Sequence, residues 1–355
     1  MRIALVTEWF YPDVGGVASH VMGLARALKE KGHEVTVFTP SGLEYSDNGY
    51  RVVKLKRVAP LPHAPPRPGS LSLLGSFDVV HAHHAFSPTP LLSLIKASRE
   101  GVPIVVTNHT LAPLPTVTSR VLFPLRLFLS RARAVISVSK ASAEFISRLY
   151  DGPVRVIPNG VDTELFKPPR SKPEFPRVLF VGRLVYRKGV HVLLRAFTEV
   201  QREVRDAELV IAGRGPLRWP LERLAKRLGV AAKFLGYVPR NELSSLYRSA
   251  AVFTAPSLHA EAFCITIIEA MASGLPVVAS SCGGIPEVFE CGESEVGILV
   301  RPGEPKELSE AIITLLEDSS LARVLGERAR RHAVSRFDWS VVAGMVERVY
   351  EEVIT

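Results

Sequence analysis

Short apolar runs alternate with amphipathic stretches along almost the entire chain. The first run, Ile3 to Val6, has no polar side chain, and the stretch after it spaces apolar residues three and four apart, as on a helix face. Strands of a parallel sheet are covered on both faces and therefore read as continuous apolar runs. Because alternating strand and helix signals are typical of βαβ units, we predict doubly wound α/β sheets.

A proline-rich stretch near the middle of the chain, residues 166–176, interrupts the alternation and contains four prolines. A length of 355 residues favours two domains. We therefore predict a first α/β domain over residues 1–165, a linker over 166–176 and a second α/β domain over 177–336. The final stretch, 337–355, is predicted to be a helix that packs back on the first domain. Another proline-rich stretch, 59–70, is predicted to be a flexible surface loop.

The composition narrows the classes of partner. A formal net charge of +9 favours anions such as nucleotide phosphates or an acidic membrane surface. No basic run is interleaved with aromatic residues, so we predict no nucleic-acid partner. The three cysteines lack the spacing of a zinc site or a disulfide framework. Asn and Gln together number five, which is typical of a heat-adapted source.

Membrane association is predicted to be peripheral at most. No stretch approaches the ~20 apolar residues that span a bilayer, and the protein is expected to be cytoplasmic. Segment 119–134 nevertheless carries four arginines among apolar residues: Arg120, Arg126, Arg131 and Arg133. A basic amphipathic helix of this kind can bind an anionic membrane surface. An ordinary covering helix with solvated arginines fits the pattern as well.

A pair of glycines, Gly15 and Gly16, lies at the predicted turn between the first strand and the first helix. Ligands of open parallel sheets bind at the carboxyl ends of the strands, where glycines let a sugar or a phosphate approach the backbone. The G-x-G-x-x-G fingerprint is absent, which argues against a dinucleotide. A glycine-eased turn without any ligand is the alternative.

Histidines follow two strands at the same predicted edge: His109 follows one, and His81, His83 and His84 follow the other. A metal site would need further ligands, and no acid or cysteine accompanies these histidines locally. We therefore predict no metal and interpret the cluster as cleft lining or packing. The small polar neighbours of His109 favour a ring that faces the ligand.

Two cations follow the first strand of the second domain. Gly182 and Arg183 come directly after that strand, and Lys188 lies a few residues further on. Cations at the carboxyl end of a strand are suited to neutralising a diphosphate leaving group. Gly215 lies in the turn after the next strand. Solvated surface charges are the alternative interpretation of Arg183 and Lys188.

Two glutamates, Glu261 and Glu269, bracket the start of a predicted helix. The two glutamates are eight residues apart, which corresponds to about 12 Å along a helix axis. This distance suits a ligand with a sugar at one end and a nucleoside at the other. The free N–H groups of Phe263, Cys264 and Ile265 would bind a diphosphate, and carboxylates accept two hydroxyl donors of a diol. A surface helix with two solvated acids fits the spacing equally.

Taken in this order along nearly the whole chain, these motifs resemble those of the retaining glycosyltransferases of family 4. The resemblance implies the GT-B fold, in which two doubly wound Rossmann-like domains face each other across a cleft. It implies that Arg183 and Lys188 hold the diphosphate of a UDP-sugar and that Glu269 binds the ribose hydroxyls. Glu261 and the backbone at residues 263–265 would hold the donor sugar.

For the first domain, the resemblance implies that Gly15 and Gly16 approach the diphosphate and the acceptor, and that His109 contacts the sugar. The implied nucleotide-sugar site also includes Asn159, Gly182 and Gly215. The two cations are expected to replace a metal, so no cofactor is expected. Retention is expected to proceed by front-face departure and attack, with the leaving phosphate taking the acceptor's proton, and no general base is assigned.

A narrower similarity concerns Cys264, which stands where many members of the family have glycine. Members that transfer N-acetylglucosamine to phosphatidylinositol share this cysteine and the surrounding Glu-Ala-Phe-Cys sequence. Asn108 departs from the acid that usually precedes the histidine in that subgroup. The similarity implies UDP-N-acetylglucosamine as donor and a lipid-linked or inositol-containing acceptor.

Three other functions are left open by the sequence. The same chemistry with a soluble sugar, sugar-phosphate or glucan acceptor needs only a different acceptor site. A Rossmann oxidoreductase would lack its usual glycine fingerprint. A non-catalytic module that binds a nucleotide-sugar or a membrane would not need to keep both glutamates and both cations.

Overall fold

The apolar runs of the sequence form two largely parallel sheets in the computed structural model of the chain. The structure describes residues 1–13, 15–42, 45–47, 49–61, 63–84, 86–112, 123–169, 175–292 and 294–355. The first of two compact units comprises Met1–Gly160 and Trp339–Thr355, and the second comprises Val161–Asp338.

The first unit contains a sheet of eight described strands. These are β1 (Arg2–Thr7), β2 (Glu34–Thr39), β3 (Tyr45–Asp47), β4 (Tyr50–Lys54), β5 (Val79–His83), β6 (Ile104–Asn108), β7 (Ala134–Ser137) and β8 (Val154–Val156). Their order is β3-β4-β2-β1-β5-β6-β7-β8, and only β3 pairs antiparallel with its neighbour. The described helices of residues 1–160 are α1 (Gly16–Glu30), α2 (Pro88–Arg99), α3 (Phe123–Leu129) and α4 (Lys140–Ser147), with a 3-10 helix at Pro68–Ser76.

Alternate residues of β1 pack into opposite layers of the first unit. Ile3 and Leu5 belong to the core layer that contains the apolar face of α1, whereas Ala4 and Val6 belong to the layer that contains α2. All four side chains are fully buried. Because successive side chains of a strand point to opposite faces, a strand covered on both sides must be apolar throughout. This explains the uninterrupted apolar run in the sequence.

The second unit contains a wholly parallel sheet of six described strands. These are β9 (Arg177–Val181), β10 (Glu208–Ala212), β11 (Ala232–Gly236), β12 (Val252–Ala255), β13 (Val277–Ser280) and β14 (Ile298–Val300). Their order is β11-β10-β9-β12-β13-β14. The helices are α5 (Val190–Glu203), α6 (Arg218–Leu228), α7 (Arg240–Arg248), α8 (Ile265–Ala272), α9 (Ile285–Val288), α10 (Pro305–Glu317) and α11 (Ser319–Phe337), with a 3-10 helix at Tyr186–Lys188.

The last helix, α12 (Trp339–Ile354), belongs to the first unit. Its first residue, Trp339, packs against two glycines: a Cβ added at Gly23 or at Gly160 would lie 2.2 Å or 2.5 Å from the indole ring. Tyr350 of the same helix is fully buried and its hydroxyl lies 2.6 Å from Nδ1 of His81 in β5. The helix is therefore part of the core of the first unit.

The described residues of the predicted linker, 166–169 and 175–176, belong to the second unit. Phe166 is fully buried, and its ring meets the ring of Tyr247 edge-on with centroids 5.6 Å apart. Arg330 adds hydrogen bonds of 2.9 Å to the carbonyls of Thr163 and Phe166. A high proline content predicted a linker here, but it gives no information on tertiary contacts such as those of Phe166 and Arg330. Residues 170–174 of the stretch lie outside the described residues.

The proline-rich stretch 59–70 is partly regular, although the sequence predicted a flexible loop. Pro66 pairs with Arg57 in an isolated β-bridge, and the 3-10 helix Pro68–Ser76 begins inside the stretch. The next turn buries Leu71 and Leu74 in the core. In the described parts of the chain, no helix combines the length and hydrophobicity needed to cross a membrane.

Candidate active site

Three loops of the second unit meet at the carboxyl edge of its sheet, because β10, β9 and β12 are neighbours. The loop after β9 is tied to the loop after β12 by a hydrogen bond of 2.7 Å from the Leu258 N–H to the Arg187 carbonyl. A second bond, 2.8 Å from Leu184 N–H to the Arg214 carbonyl, ties it to the loop after β10. Ligands of parallel sheets bind at this edge.

The carboxylate of Glu261 is the most heavily hydrogen-bonded group of these loops. Its Oε2 accepts from Lys188 Nζ at 2.7 Å, from Arg187 Nη1 at 2.9 Å and from Ser257 Oγ at 3.2 Å. The Glu261 side chain is 9% exposed, and no described residue donates to its Oε1. One carboxylate oxygen is thus anchored, and the other keeps its capacity to accept hydrogen bonds.

Charge pairing keeps this buried carboxylate ionised. Burial alone would raise the pKa of Glu261, but the charges of Lys188 and Arg187 and the hydrogen bonds from Lys188 and Ser257 hold it below its usual value. Burial would lower the pKa of Lys188, and Cys264 and Glu261 raise it above the usual value. Burial also raises the pKa of the Cys264 thiol. Since that thiol is uncharged at neutral pH, Glu261 is the effective partner of Lys188.

The backbone before α8 is turned so that its N–H groups stay unpaired. Ala260 and Cys264 both adopt left-handed conformations, with φ of 54° and 74°. Among the described residues, no acceptor is recorded for the N–H groups of Phe263, Cys264 or Ile265. Cys264 Sγ lies 3.8 Å from Lys188 Nζ, so the helix N-terminus and this cation are adjacent. Both favour an anion.

Arg183, the other predicted diphosphate ligand, is exposed at the end of β9. In the part of the chain that the structure describes, no carboxylate forms an ion pair with its guanidinium. The Lys188 side chain, in contrast, is only 12% exposed and already paired. The two predicted cations therefore differ in environment, although both lie on the loop after β9.

Glu269 lies on the buried side of α8. Its Oε2 accepts from the Tyr247 hydroxyl at 3.0 Å, and its Oε1 lies 3.7 Å from Arg240 Nη1. Burial raises the pKa of Glu269, and Arg240 and Tyr247 only partly oppose that effect. The Tyr247 hydroxyl also lies 3.3 Å from the Thr266 carbonyl oxygen, and both contacts fix its ring against α8. Tyr247 and Arg240 therefore hold the Glu269 carboxyl group in one orientation.

The glycines predicted in the nucleotide-sugar site are needed for close packing of the loops. A Cβ on Gly215 would lie 2.3 Å from the Leu184 carbonyl oxygen, and a Cβ on Gly213 would lie 1.8 Å from the Gly182 oxygen. Gly213 also donates to the Gly236 carbonyl at 2.7 Å. These contacts bring the loops after β9, β10 and β11 together, so Gly182 and Gly215 act at least through backbone packing.

Gly189 offers a test of this packing. Its φ is 68°, and an added Cβ would lie 1.8 Å from the Pro256 carbonyl oxygen. Gly229 has the same conformation, with φ of 70°, but an added Cβ meets nothing within 4 Å. We expect Gly229→Ala to lower the free energy of unfolding by about 1–2 kcal/mol. Gly189→Ala should lower it by at least about 2 kcal/mol more, because the loop after β12 must shift.

Urea unfolding of the two variants measures this difference directly. Both substitutions impose the same left-handed penalty, so the comparison isolates the contact with Pro256. Equal losses in the two variants would show that the loops after β9 and β12 are not packed as described.

The predicted histidines of the first unit do not share one role. His81 and His83 lie inside β5 rather than after it, and both are fully buried. His81 is a structural residue, since its two nitrogens lie 2.6 Å from the Tyr350 and Thr107 hydroxyls. His84 follows the strand with φ of 69°, and its Nδ1 lies 2.6 Å from Ser87 Oγ.

His109 belongs to a cluster with His83 and with His20 of α1. Its Nε2 lies 3.4 Å from His83 Nδ1, and its ring lies edge-on to His20 with centroids 4.7 Å apart. Asn108, which precedes it, donates to the carbonyls of Thr110 and Ser142 at 3.0 Å and 3.1 Å. A carboxylate could not donate these bonds, so the amide fits this position.

Burial keeps these rings uncharged. It lowers the pKa of His20 to about 4 and that of His81 to about 3, and it lowers those of His83 and His109 well below the usual value. Neutral imidazoles can ligate metals, and one nitrogen from each of His20, His83 and His109 lies within 4.8 Å of the others. The group contains neither carboxylate nor thiolate. Among the described residues, these three histidines are the group whose side chains could together bind a metal ion.

The remaining predicted residues of the first unit are Gly15, Gly16 and Asn159. Gly15 has an extended backbone, and an added Cβ would meet nothing within 4 Å, so its backbone is open to approach. Gly16 is the first residue of α1. Asn159 is 3% exposed, and its side-chain oxygen has no hydrogen-bond partner. The Asn159 amide nevertheless lies close enough to His20 to oppose in part the lowering of the His20 pKa.

An open pocket of about 610 Å³ lies beside the carboxyl ends of β1 and β2 in the first unit. Its lining includes Trp9, Asp13, Ser41, Arg57 and His63. The Ser41 hydroxyl donates to the Asp13 carboxylate at 2.6 Å. An aromatic ring with acidic, basic and hydroxyl groups is a suitable lining for a polar ring-shaped ligand. No sequence motif pointed to this pocket.

The arginines of segment 119–134 bind protein groups wherever they are described. Arg126 Nη2 lies 2.8 Å from the Asp151 carboxylate, and Arg133 Nη1 donates to the Val353 carbonyl at 2.5 Å. Arg131 donates to the Leu127 carbonyl and lies over the Phe128 ring. Arg120 lies outside the described residues. The contacts therefore favour the covering-helix interpretation over a membrane-binding face.

Arg187, Tyr247 and His20 are among the residues of these sites to which the sequence analysis assigned no role. Arg187 is adjacent to Lys188, so its charge could have been considered there. His20 lies on the apolar face of α1, three residues after Val17, and a polar residue on such a face is a signal. Nothing in the sequence around Tyr247 distinguishes it from an ordinary core residue.

Comparison with known proteins gives the family. Residues 161–332 match the family model "Glycosyl transferases group 1", and residues 14–165 match "Glycosyltransferase Family 4". The phosphatidyl-myo-inositol mannosyltransferase of Mycobacterium leprae is 34% identical over 100% of this chain and 98% of its own length. A Homo sapiens relative, a component of phosphatidylinositol N-acetylglucosaminyltransferase, is 31% identical over 99% of this chain and 76% of its own length.

Solved structures agree with this assignment. Sucrose-phosphate synthase from Thermosynechococcus elongatus matches with a TM-score of 0.79 and 25% identity over 99% of this chain and 98% of that chain. Anabaena HepE in complex with UDP-glucose matches with a TM-score of 0.81 and 23% identity over 99% and 100% of the two chains. The chain therefore belongs to the family 4 glycosyltransferases and has the GT-B fold. The prediction of family and fold is confirmed.

Proposed function

We propose that this glycosyltransferase transfers N-acetylglucosamine from UDP-N-acetylglucosamine to a lipid-linked, inositol-containing acceptor, with retention of configuration. The observation that carries the proposal is the Lys188–Glu261 pair beside the unpaired N-terminus of α8. A buried cation suits the diphosphate of a nucleotide-sugar, and a carboxylate with one available oxygen suits hydroxyls of a sugar.

In this proposal, Arg183, Lys188 and the N–H groups at residues 263–265 hold the diphosphate. Their charge stabilises the leaving group as the bond to the sugar breaks, which is the main electrostatic demand of the reaction. Glu261 binds the donor sugar through its available Oε1. Glu269, fixed by Tyr247, binds the ribose hydroxyls.

Residues of the first unit are proposed to act on the sugar and the acceptor. His109, uncharged at neutral pH, donates a hydrogen bond to a sugar hydroxyl, and the backbone at Gly15 and Gly16 lets the diphosphate and acceptor approach. Asn159 has a buried oxygen that accepts a hydrogen bond from the ligand. The acceptor's proton passes to the leaving phosphate on the same face, so no side chain serves as general base.

We also propose that the reaction needs no metal. Lys188 and Arg183 supply positive charge where a divalent cation would otherwise neutralise the diphosphate. Transfer should therefore continue at an unchanged rate in excess EDTA. A loss of transfer that added Mg²⁺, Mn²⁺ or Zn²⁺ restores would contradict this part of the proposal.

The names of the relatives support the acceptor more strongly than the donor. Both relatives above are named for phosphatidylinositol or its myo-inositol form, whereas one is named for mannose and the other for N-acetylglucosamine. The pocket lined by Trp9, Asp13 and Arg57 suits a polyol ring beside a phosphate. A mannosyl donor is therefore the second candidate, favoured by the 34% identity to the mycobacterial enzyme.

A lipid acceptor implies peripheral contact with a membrane. The described arginines of segment 119–134 are engaged within the protein, so the proposed association rests on the acceptor rather than on those residues. A soluble sugar, sugar-phosphate or glucan acceptor would require no membrane contact, and absence of vesicle binding during turnover would favour it.

Thermal stabilisation by donors tests the proposed specificity. The protein is heated in EDTA with UDP, UDP-N-acetylglucosamine, UDP-glucose, GDP-mannose or NAD, each at increasing concentration. A ligand at ~100 times its Kd adds about 2.7 kcal/mol to the free energy of unfolding. We expect UDP-N-acetylglucosamine to give the largest increase in Tm. Selective stabilisation by GDP-mannose would support the second candidate, and stabilisation by NAD alone would contradict both.

A further inference from the structure

We propose that Arg187 is a positioning residue that holds Glu261 in place when Lys188 leaves it to bind the donor diphosphate. The inference rests on the proposed function, because it concerns how the same site passes from the free to the donor-bound state. It assigns a task to a cation to which the proposed function gives none.

Once the donor is bound, the single positive charge of Lys188 is shared between Glu261 and the diphosphate. In the structure its ammonium lies 2.7 Å from Glu261 Oε2, and the Lys188 side chain is 12% exposed. A diphosphate carries more negative charge than one carboxylate and competes for the same donors. As Lys188 is drawn toward the diphosphate, it neutralises Glu261 less completely. A buried carboxylate without a partner would take up a proton or move.

Arg187 is fixed in the position needed to prevent this. Its Nη1 lies 2.9 Å from Glu261 Oε2, the same oxygen that Lys188 contacts, and 3.4 Å from the Ala260 carbonyl oxygen. Its backbone carbonyl accepts the Leu258 N–H at 2.7 Å. Arg187 is therefore attached to the loop after β12 at both its backbone and its side chain. Ser257 adds the third bond to the same oxygen.

The local charges lead to the same conclusion. Lys188 and Glu261 alone form a neutral pair, which attracts a diphosphate only weakly. With Arg187 the group of three carries a net charge of +1, so Glu261 stays neutralised while Lys188 remains available. Removal of Arg187 should strengthen the hold of Glu261 on Lys188 and raise the pKa of Glu261. Both changes weaken donor binding.

Arg187→Gln tests the inference, with Arg227→Gln on the exposed face of α6 as the matched control. We expect Arg187→Gln to raise the KM for the nucleotide-sugar about tenfold and to move the acid limb of kcat/KM upward by about 1–3 pH units. Arg227→Gln should reproduce the wild-type profile. Arg187→Lys restores a cation and should move the limb most of the way back.

A merely structural role for Arg187 would lower stability without moving the acid limb, and that result would overturn the inference. An increase confined to the KM for the acceptor would also overturn it, because the guanidinium would then bind the acceptor. Failure of the proposed function is separable, since wild-type protein would then show no donor turnover.

A second measurement does not depend on activity. The difference in free energy of unfolding between wild type and Arg187→Gln should shrink as pH falls from 7 to 4, because protonation of Glu261 removes its need for the arginine. A difference that stays constant over this range would contradict the inference even if no substrate had been identified.

Discussion

Replacing Lys188 with alanine is expected to lower kcat for sugar transfer about 100-fold, which corresponds to about 3 kcal/mol of lost leaving-group stabilisation. The ammonium is the buried cation beside the N-terminus of α8, and burial strengthens its interaction with developing negative charge. Exposed Arg183 should matter less per charge, because solvent screens it. The expected order of rate loss is therefore Lys188→Ala, then Arg183→Ala.

The comparison with Glu269→Ala separates rate from binding. Glu269 is held by Tyr247 on the buried side of α8, and its proposed partner is the ribose, which does not change charge during the reaction. Its removal should raise the Kd for the nucleotide with a smaller effect on kcat. Lys226→Ala, at an exposed position of α6, is the control for loss of a lysine. An unchanged kcat in Lys188→Ala, with folding verified by circular dichroism, would contradict the proposed role of Lys188 in stabilising the leaving group.

The second large expected effect is loss of stability in mild acid, caused by the buried histidines of the first unit. Burial lowers the pKa of His20 to about 4 and that of His81 to about 3, whereas both titrate near 6.5 in an unfolded chain. Between these values the unfolded state binds protons that the folded state does not. Stability is therefore complete above about pH 7 and falls as pH decreases through 6.5.

The expected slope is about 1.4 kcal/mol per pH unit for each such histidine below pH 6. Carboxylates with lowered pKa, such as Glu261, lose their contribution only at lower pH. The raised pKa of Glu269 acts in the opposite sense, because its protonation adds stability as pH falls. Since four buried histidines, His20, His81, His83 and His109, oppose this one carboxylate, the window from pH 7 to 5 reports mainly on histidines. Urea unfolding at pH 7, 6 and 5 measures the slope. A free energy of unfolding independent of pH in this window would contradict the burial of the cluster.

His20→Leu identifies one contributor. Neither ring nitrogen of His20 forms a hydrogen bond of ordinary geometry, although the nearby Asn159 amide partly opposes the lowering of the His20 pKa. An apolar side chain of similar volume therefore loses little. The variant should show a slope smaller by about one proton. His259→Leu, at an exposed position of the second unit, should leave the slope unchanged.

Strand and helix patterns predicted the architecture because a strand that is buried on both faces of a sheet must be apolar at every position. The uninterrupted run in β1 is an example, since each of its apolar residues enters one of two core layers. The same logic placed Arg183 at the end of β9 and Gly15 after β1. Positions at strand ends were therefore predictable before any contact was known.

Contacts between distant residues were not predictable in this way. Lys188 and Glu261 are 73 residues apart and meet because β9 and β12 are neighbours, an order that no local pattern specifies. Phe166 was assigned to a linker because prolines follow it closely in the sequence. Its burial depends on contact with the ring of Tyr247, 81 residues further along the chain, which the local sequence does not indicate. The orientation of His20 into the histidine cluster depends likewise on how α1 packs on β5.

Direct analysis of the product tests the central claim. Purified protein is incubated in EDTA with UDP-N-acetylglucosamine and vesicles that contain phosphatidylinositol, and the lipids are analysed by mass spectrometry and nuclear magnetic resonance. We expect one N-acetylglucosamine on the inositol ring in the α configuration of the donor. Transfer from this donor to a soluble sugar but to no inositol lipid, or a β-linked product, would contradict the account.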